Sequence, residues 1–271
     1  MAAIGFVGAG NMARALGGGL RGGVGPDRVS LVATDPVAAA LEAFRRDTGG
    51  TTVGSVEELL AACDLVVLAV KPQVLPALLP RIAAGLGPRH LVVSIVAGIT
   101  LDRLAAGLGA AARIVRAMPN TPALVRQGVT VLVGGAHVTP ADLDRASDVF
   151  RGAGRVLVVD DEGLMDAVTA VSGSGPGFFF AYAEAMLRAA EDVGLTPGMA
   201  LELVQDTLFG SAVLWRESSE SVGRLREMVT SPGGTTQAGL EALERHGFAA
   251  AARAAVEAAR NRSRELSSTS T

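Results

Sequence analysis

The 271-residue sequence contains one cysteine, Cys63, one lysine, Lys71, one tryptophan, one tyrosine and three histidines. A lone cysteine excludes an intrachain disulfide and argues against a thiolate metal site. His90, His137 and His246 show no spacing suited to a metal ion or a catalytic triad, so they read as surface residues and no metal is expected. Hydrophobic residues make up 49% of the chain, yet no uninterrupted apolar run reaches the roughly 18 residues a membrane span needs. Charge is nearly balanced at a net −3 with no basic run, which makes nucleic acid a poor partner. The start, Met1-Ala2-Ala3-Ile4-Gly5, lacks a basic leader segment, and a cytoplasmic protein is expected.

What is present begins at once. Ala3 to Val7 reads as a short apolar strand, Gly8-Ala9-Gly10 as a tight turn and Asn11 to Leu16 as the first turns of a helix. A strand feeding a helix through G-x-G-x-x-A is a dinucleotide-binding fingerprint. The first glycine permits the turn, the second lets a pyrophosphate approach the backbone, and the small Ala13 allows the helix to pack closely on the strand. The N–H groups and positive dipole end at Asn11 and Met12 then face the phosphates. After a break at Gly22 to Pro26, Val29 to Ala33 forms a second strand, and Thr34-Asp35 at its end falls where such a fold meets the adenosine ribose. An acid there accepts from a 2′-hydroxyl and repels a 2′-phosphate; Asp35-Pro36 can equally start the next helix.

Strands continue at Thr51 to Val53, Leu65 to Val70, Leu91 to Val96, Ile114 to Ala117, Val129 to Val133 and Arg155 to Val159, with helices between them. Ser55 and Glu58 form a capping box, and Pro72 fits a first-turn position of a helix running to about Ala84. Lys71 lies at the carboxyl end of a central strand, where ligands bind in open α/β sheets. Ala97-Gly98 is a small-residue turn that lets a flat ring lie against backbone. In Met118-Pro119-Asn120-Thr121-Pro122 two prolines stiffen a loop presenting the Asn120 amide. The pattern predicts a doubly wound, mostly parallel Rossmann-like sheet over residues 1–160.

Residues 161–271 show no strand and read as an all-helical second domain. Helices are expected over Leu164 to Val171, Gly177 to Val193, Pro197 to Glu217, Val222 to Val229 and Thr235 to Leu266 with a break at Gly247, before a disordered end from Ser267. Phe178, Phe179, Tyr182 and Met186 read as core. These helices are long and apolar for so small a domain, which predicts an oligomer built through it. Between two of them stands Thr230-Ser231-Pro232-Gly233-Gly234-Thr235-Thr236. Unpaired N–H groups, paired glycines and hydroxyls before a helix make an anion site, too far along the chain to serve the cofactor and suited to a substrate carboxylate.

With these motifs in hand, the chain resembles the pyrroline-5-carboxylate reductase family. Matching stretches are Ile4 to Ala13 (IGFVGAGNMA), Leu68 to Pro72 (LAVKP), Met118 to Ala123 (MPNTPA), Ser172 to Pro176 (SGSGP) and Val229 to Thr236 (VTSPGGTT). Gly177-Phe178 departs from the family's usual Ala-Tyr. The resemblance implies a Rossmann domain with a helical dimerisation domain, dimers often assembled into decamers, and reduction of 1-pyrroline-5-carboxylate to L-proline with NADPH or NADH. It implies that Gly8, Ala9, Gly10, Asn11 and Met12 hold the pyrophosphate, and Thr34 and Asp35 the adenosine side. Ala69, Val70, Lys71, Pro72, Ala97 and Gly98 would line the cofactor edge, and Asn120 the nicotinamide end. Ser231, Gly234, Thr235 and Thr236 of a partner chain would hold the substrate, with the Thr236 hydroxyl facing the imine nitrogen and Thr235 capping the following helix. Two other readings are weighed. A two-domain 3-hydroxyacid dehydrogenase needs a base, usually a lysine, where this chain has Phe178-Phe179-Phe180. A non-catalytic NAD(P) sensor has no use for SPGGTT.

Overall fold

A computed structural model describes residues 2–24 and 29–269. Eight strands form one sheet: β1 (Ala2–Val7), β2 (Val29–Thr34), β3 (Thr51–Thr52), β4 (Leu65–Leu68), β5 (Leu91–Ser94), β6 (Arg113–Met118), β7 (Gly128–Gly134) and β8 (Gly154–Val159). Their order is β3-β2-β1-β4-β5-β6-β7-β8, parallel throughout except where β7 runs against β6. The chain reverses its winding between β1 and β4, and at that crossover the carboxyl ends of two neighbouring strands open a crevice for a ligand.

Both faces of the sheet are covered, which is why β4 and β5 are apolar at every position and wholly buried. On one face α1 (Asn11–Val24), α2 (Ala38–Thr48) and α6 (Pro140–Arg151) close over Phe6, Val67, Val93 and Leu132 with Leu16, Phe44 and Phe150. On the other, α3 (Val56–Ala62), α4 (Leu75–Gly85) and α5 (Leu101–Leu108) cover Val7, Val66 and Leu68 with Leu59, Ile82 and Leu104. Each such Leu or Phe stabilises by roughly 1.5–3 kcal/mol when fully buried. The doubly wound sheet expected from the alternation is the one observed.

Local boundaries depart from the sequence reading where turns decide them. α1 runs through Gly22, Gly23 and Val24, and Gly25-Pro26 lies outside the described residues. Pro72 belongs to a turn, and α4 starts at Leu75 with Pro76 in its first turn. Ser55 caps α3 by accepting the Glu58 N–H, but Glu58 reaches back to the Gly54 N–H, so the box is not reciprocal. The full reciprocal box is at Thr139 and Asp142, opening α6.

The described residues from 160 on are helical: α7 (Met165–Val168) and a wide turn over Thr169–Gly173 lead into α8 (Gly175–Asp192), followed by α9 (Pro197–Glu217), α10 (Val222–Met228), α11 (Thr235–Arg245) and α12 (Phe248–Thr269). α12 therefore continues past Ser267, where a disordered end was expected. By packing, the chain groups into Met1–Ser174 with Ala259–Thr271, and Gly175–Ala258. Side-chain anchors explain why residues just after 160 and the end of α12 group with the sheet. Met165 packs against Val131 and Val133. Glu162 Oε1 accepts from buried Arg116 at 2.7 Å and from the Leu101 N–H at 2.8 Å, and Ser263 donates to Asp166 at 2.6 Å.

The unit Gly175–Ala258 has almost no interior of its own. Phe178, Phe179, Tyr182 and Met186, read as core from the sequence, are exposed, Phe179 to 63%, and Phe180 and Phe209 reach 70% and 69%. Tyr182 and Phe248 rings approach to 6.1 Å without closing a core. Several large side chains each forgo roughly 1.5–3 kcal/mol in this state, and together they form an apolar surface of the kind that marks an interaction site. None of the described helices is long and apolar enough to cross a membrane.

Candidate active site

The fingerprint turn has the geometry its sequence demands. Gly8 adopts φ +99, and a Cβ there would lie 2.6 Å from the Ala69 carbonyl oxygen, so no other residue fits. The Gly8 N–H donates to the Thr34 carbonyl at 2.9 Å, and the Ala69 N–H to that of Val7 at 2.8 Å, which draws the ends of β1, β2 and β4 together. Val70 also borders Gly8. Ala13 is fully buried in the core beneath α1. At Gly10, by contrast, a Cβ would meet nothing within 4 Å. The first bond of α1 runs from Arg14 N–H to the Gly10 carbonyl, so the amides of Asn11, Met12 and Ala13 have no partner inside the helix. An open cradle with unpartnered amides at a helix N-terminus fits a dinucleotide pyrophosphate.

Ala9 differs from its expected part in holding pyrophosphate. Its N–H donates to Asp35 Oδ2 at 2.8 Å, while Asp35 Oδ1 accepts from the Val37 N–H at 2.9 Å. One carboxylate thus joins the fingerprint turn to the entry of α2. Both sequence readings of Asp35 hold together, because it stands at the end of β2 and also steadies the start of a helix.

Along the rest of the cofactor edge, Lys71 is exposed and Lys71-Pro72 accept backbone bonds from Val74 and Leu75. Ala97 is exposed, but Gly98 is buried with φ +73, and a Cβ on it would lie 3.2 Å from Leu266 Cβ. On the side where a Cβ would stand, Gly98 therefore packs against the last helix of its own chain. Asn120 is buried and its Oδ1 accepts the Val129 N–H at 2.9 Å. Its carboxamide oxygen pins the loop, and what remains for a ligand is the Nδ2 donor.

The SPGGTT segment forms a turn of its own in the helical unit. Gly234 N–H donates to the Ser231 carbonyl at 3.0 Å, and Gly233 takes φ +72. Gly234 is the N-cap of α11 and no side chain caps it, so Thr235 is the first helical residue and does not cap the helix. The first intrahelical bond joins Ala238 N–H to the Gly234 carbonyl. The amides of Thr235, Thr236 and Gln237 are then the available donors, with Gly234's own N–H already committed. Ser231, Thr235 and Thr236 are exposed. Sequence reasoning missed Gln237. Its Oε1 accepts the Gly233 N–H at 2.7 Å, and its Nε2 donates to Glu241 at 2.9 Å. A Gln three residues after a helix cap was the signal.

Other groups are structural. His90, read as a surface residue, is 5% exposed. Its Nδ1 lies 2.8 Å from the Gly87 amide nitrogen and its Nε2 lies 3.0 Å from the Leu60 carbonyl oxygen, so both ring nitrogens are engaged with backbone. Burial pushes the Cys63 thiol up to about 11, so it carries no reactive thiolate. Among the described residues no three of His, Cys, Asp and Glu gather as a metal site.

Comparison with known proteins agrees with this arrangement. Residues 162–266 match the family described as pyrroline-5-carboxylate reductase dimerisation, and residues 3–98 that described as NADP oxidoreductase coenzyme F420-dependent. A pyrroline-5-carboxylate reductase of Pseudomonas aeruginosa is 43% identical over 97% of this chain and 96% of its own. The solved pyrroline-5-carboxylate reductase of Coxiella burnetii superposes with a TM-score of 0.92 at 36% identity, covering 98% of both chains. That of Plasmodium falciparum, solved with NADP bound, gives 0.87 at 31% identity over 98% of both. The chain belongs to the pyrroline-5-carboxylate reductase family.

Proposed function

We propose that this chain is an NAD(P)H-dependent pyrroline-5-carboxylate reductase, which converts the cyclic imine 1-pyrroline-5-carboxylate to L-proline in the last step of proline biosynthesis. The observation that carries this reading is that one chain has two helix N-termini of different build, each preceded by glycines and each with amides that lack a partner inside the helix. The first is the glycine cradle at the α1 N-terminus, open at Gly10, and the second is the uncapped N-terminus of α11 behind Ser231 to Gly234. A non-catalytic sensor of NAD(P) would need only the first.

NAD(P)H supplies, when bound, the hydride that reduces the imine carbon. Gly8, Gly10, Asn11 and Met12 bind its pyrophosphate, Thr34 and Asp35 meet its adenosine side, Ala69 to Pro72 and Ala97 line its edge, and Asn120 Nδ2 serves the nicotinamide end. The amides of Thr235 and Thr236 hold the substrate carboxylate in the positive field of the α11 N-terminus, and Ser231 and Gly234 shape the turn around it. The Thr236 hydroxyl hydrogen-bonds the ring nitrogen. An imine is basic enough to arrive protonated, so the nitrogen keeps that proton and gains a lone pair as the new C–H bond forms at C5. No strong general acid is required, consistent with a substrate turn that carries none.

In functional terms residues 1–160 serve the nucleotide and residues 161–271 serve substrate and assembly. The exposed apolar helices support a homo-oligomer, which we take to be a dimer whose partner chain contributes the SPGGTT half of each site, five such dimers forming a decamer; the cytoplasm is the location that goes with this reading. Turnover of NADH and NADPH with 1-pyrroline-5-carboxylate tests the reading. Absence of turnover with either reductant would refute it.

A further inference from the structure

The carboxylate of Asp35 is held at both oxygens by backbone, through Ala9 N–H at 2.8 Å and Val37 N–H at 2.9 Å. It is therefore a fixed charge. It follows Thr34, the last residue of β2, which lies directly beside β1 in the sheet, and this is the position where a fold of this strand order meets the adenosine ribose.

The cations nearby are committed elsewhere. α2 opens Ala38-Ala39-Ala40 and carries no positive charge before Arg45. Arg45 donates to Thr52 Oγ1, and Arg46 pairs with Asp47 at 2.8 Å. Arg14, in the first turn of α1, is shared between Asp47 and Asn11. A ribose 2′-hydroxyl can donate to a fixed carboxylate. A 2′-phosphate brings a second anion to the same place, where Arg14, Arg45 and Arg46 are already engaged with other partners.

We infer that Asp35 sets the cofactor specificity of this reductase, accepting the 2′-hydroxyl of NADH and repelling the 2′-phosphate of NADPH, so that NADH is the preferred reductant. The inference deepens, and rests on, the reductase reading. Because Ala9 N–H shares the same carboxylate, discrimination is built into the fingerprint turn itself, and Asp35 cannot swing aside for a phosphate without releasing that turn.

The test is equilibrium binding to the full-length oligomer without imine, followed by the fluorescence of the reduced nicotinamide. Wild type should bind NADH at least ~10-fold tighter than NADPH, as expected for like charges close together near a protein surface. Asp35→Asn removes the charge and retains an acceptor for Ala9 N–H; it should strengthen NADPH binding and bring the ratio close to one. Competition by AMP against adenosine 2′,5′-bisphosphate on wild type provides a second reading that needs no variant, and AMP should compete better. Equal or tighter NADPH binding by wild type, or an unchanged ratio in a folded Asp35→Asn, would overturn the inference. A clear NADH preference in binding, with no turnover of the imine, would uphold it and remove the reductase reading alone.

Discussion

The side-chain oxygen of Gln237 accepts the backbone N–H of Gly233 at 2.7 Å, tying the first turn of α11 to the glycine pair before it. This bond braces the turn before α11, where the Thr235 and Thr236 amides have no partner inside the helix. Gln237→Ala should raise the imine KM by roughly 3- to 10-fold, the worth of one hydrogen bond of about 0.5–1.5 kcal/mol, with cofactor affinity unchanged. Gln237→Glu keeps the acceptor but adds a negative charge beside the carboxylate site and against Glu241, whose bond from Nε2 it also removes, so it should raise KM and lower the melting temperature. Steady-state kinetics on both variants decide the matter, and an unmoved KM would show that the turn holds itself.

Thr236→Ala should lower kcat by at least ~10-fold, because a hydrogen bond made mainly in the transition state is typically worth ~2.7–4 kcal/mol. Thr235→Ala should cost much less, since the Thr235 side chain makes no capping bond to α11 and its amide survives the change. Stopped-flow hydride transfer at saturating imine separates them. A wild-type single-turnover rate in Thr236→Ala would remove this hydroxyl from the chemical step.

Shared sites predict complementation between subunits. A Cβ at Gly10 meets no protein atom within 4 Å, so Gly10→Val should fold and yet fill the pyrophosphate cradle. Mixed with Thr236→Ala and allowed to exchange subunits, it should regain part of the lost turnover. A fully active monomer on a calibrated sizing column contradicts this outcome.

Asp142 is a buried carboxylate whose burial raises its pKa, but the Thr139 N–H and hydroxyl and the Arg113 guanidinium outweigh that and hold it below its ordinary 3.8. A group depressed in the folded state stabilises fully above its unfolded pKa, and that contribution is lost as pH falls through the folded value. Asp142→Asn should therefore destabilise by about 1.5–3 kcal/mol near neutrality, the range for hydrogen bonds to a charged group. The gap from wild type should close only below about pH 4. Urea melts across pH 3 to 7 measure it; a gap that is constant down to pH 3 would mean that the charge contributes nothing.

Much of the sheet was legible because buried parallel strands are unbroken apolar runs and three of the helices between them, α3, α5 and α6, carry their own caps. The turn before α1 was legible for a related reason: Gly8, at φ +99 and hard against the Ala69 carbonyl, answers a backbone requirement that few residues meet, while Gly10 leaves open space. Features set by distant packing were not. Whether Gly234 or Thr235 caps α11 depends on which takes an extended backbone, and both residue types can do so. That Gly98 leaves room for Leu266 is set by a residue far along the chain. Phe179 looked like core, since a single sequence does not distinguish a side chain buried in its own chain from one covered by another copy. The Ala9 to Asp35 bond joins residues 26 apart, and no local pattern announces it.

The central claim is that this chain delivers hydride to C5 of 1-pyrroline-5-carboxylate. Its most direct test is turnover with reduced nicotinamide cofactor deuterated at C4 on the transferred face, with the product analysed by mass spectrometry and NMR. The account predicts L-proline carrying one deuterium at C5 per cofactor oxidised. Cofactor oxidation without deuterated proline, or no oxidation by the assembled oligomer, would contradict it.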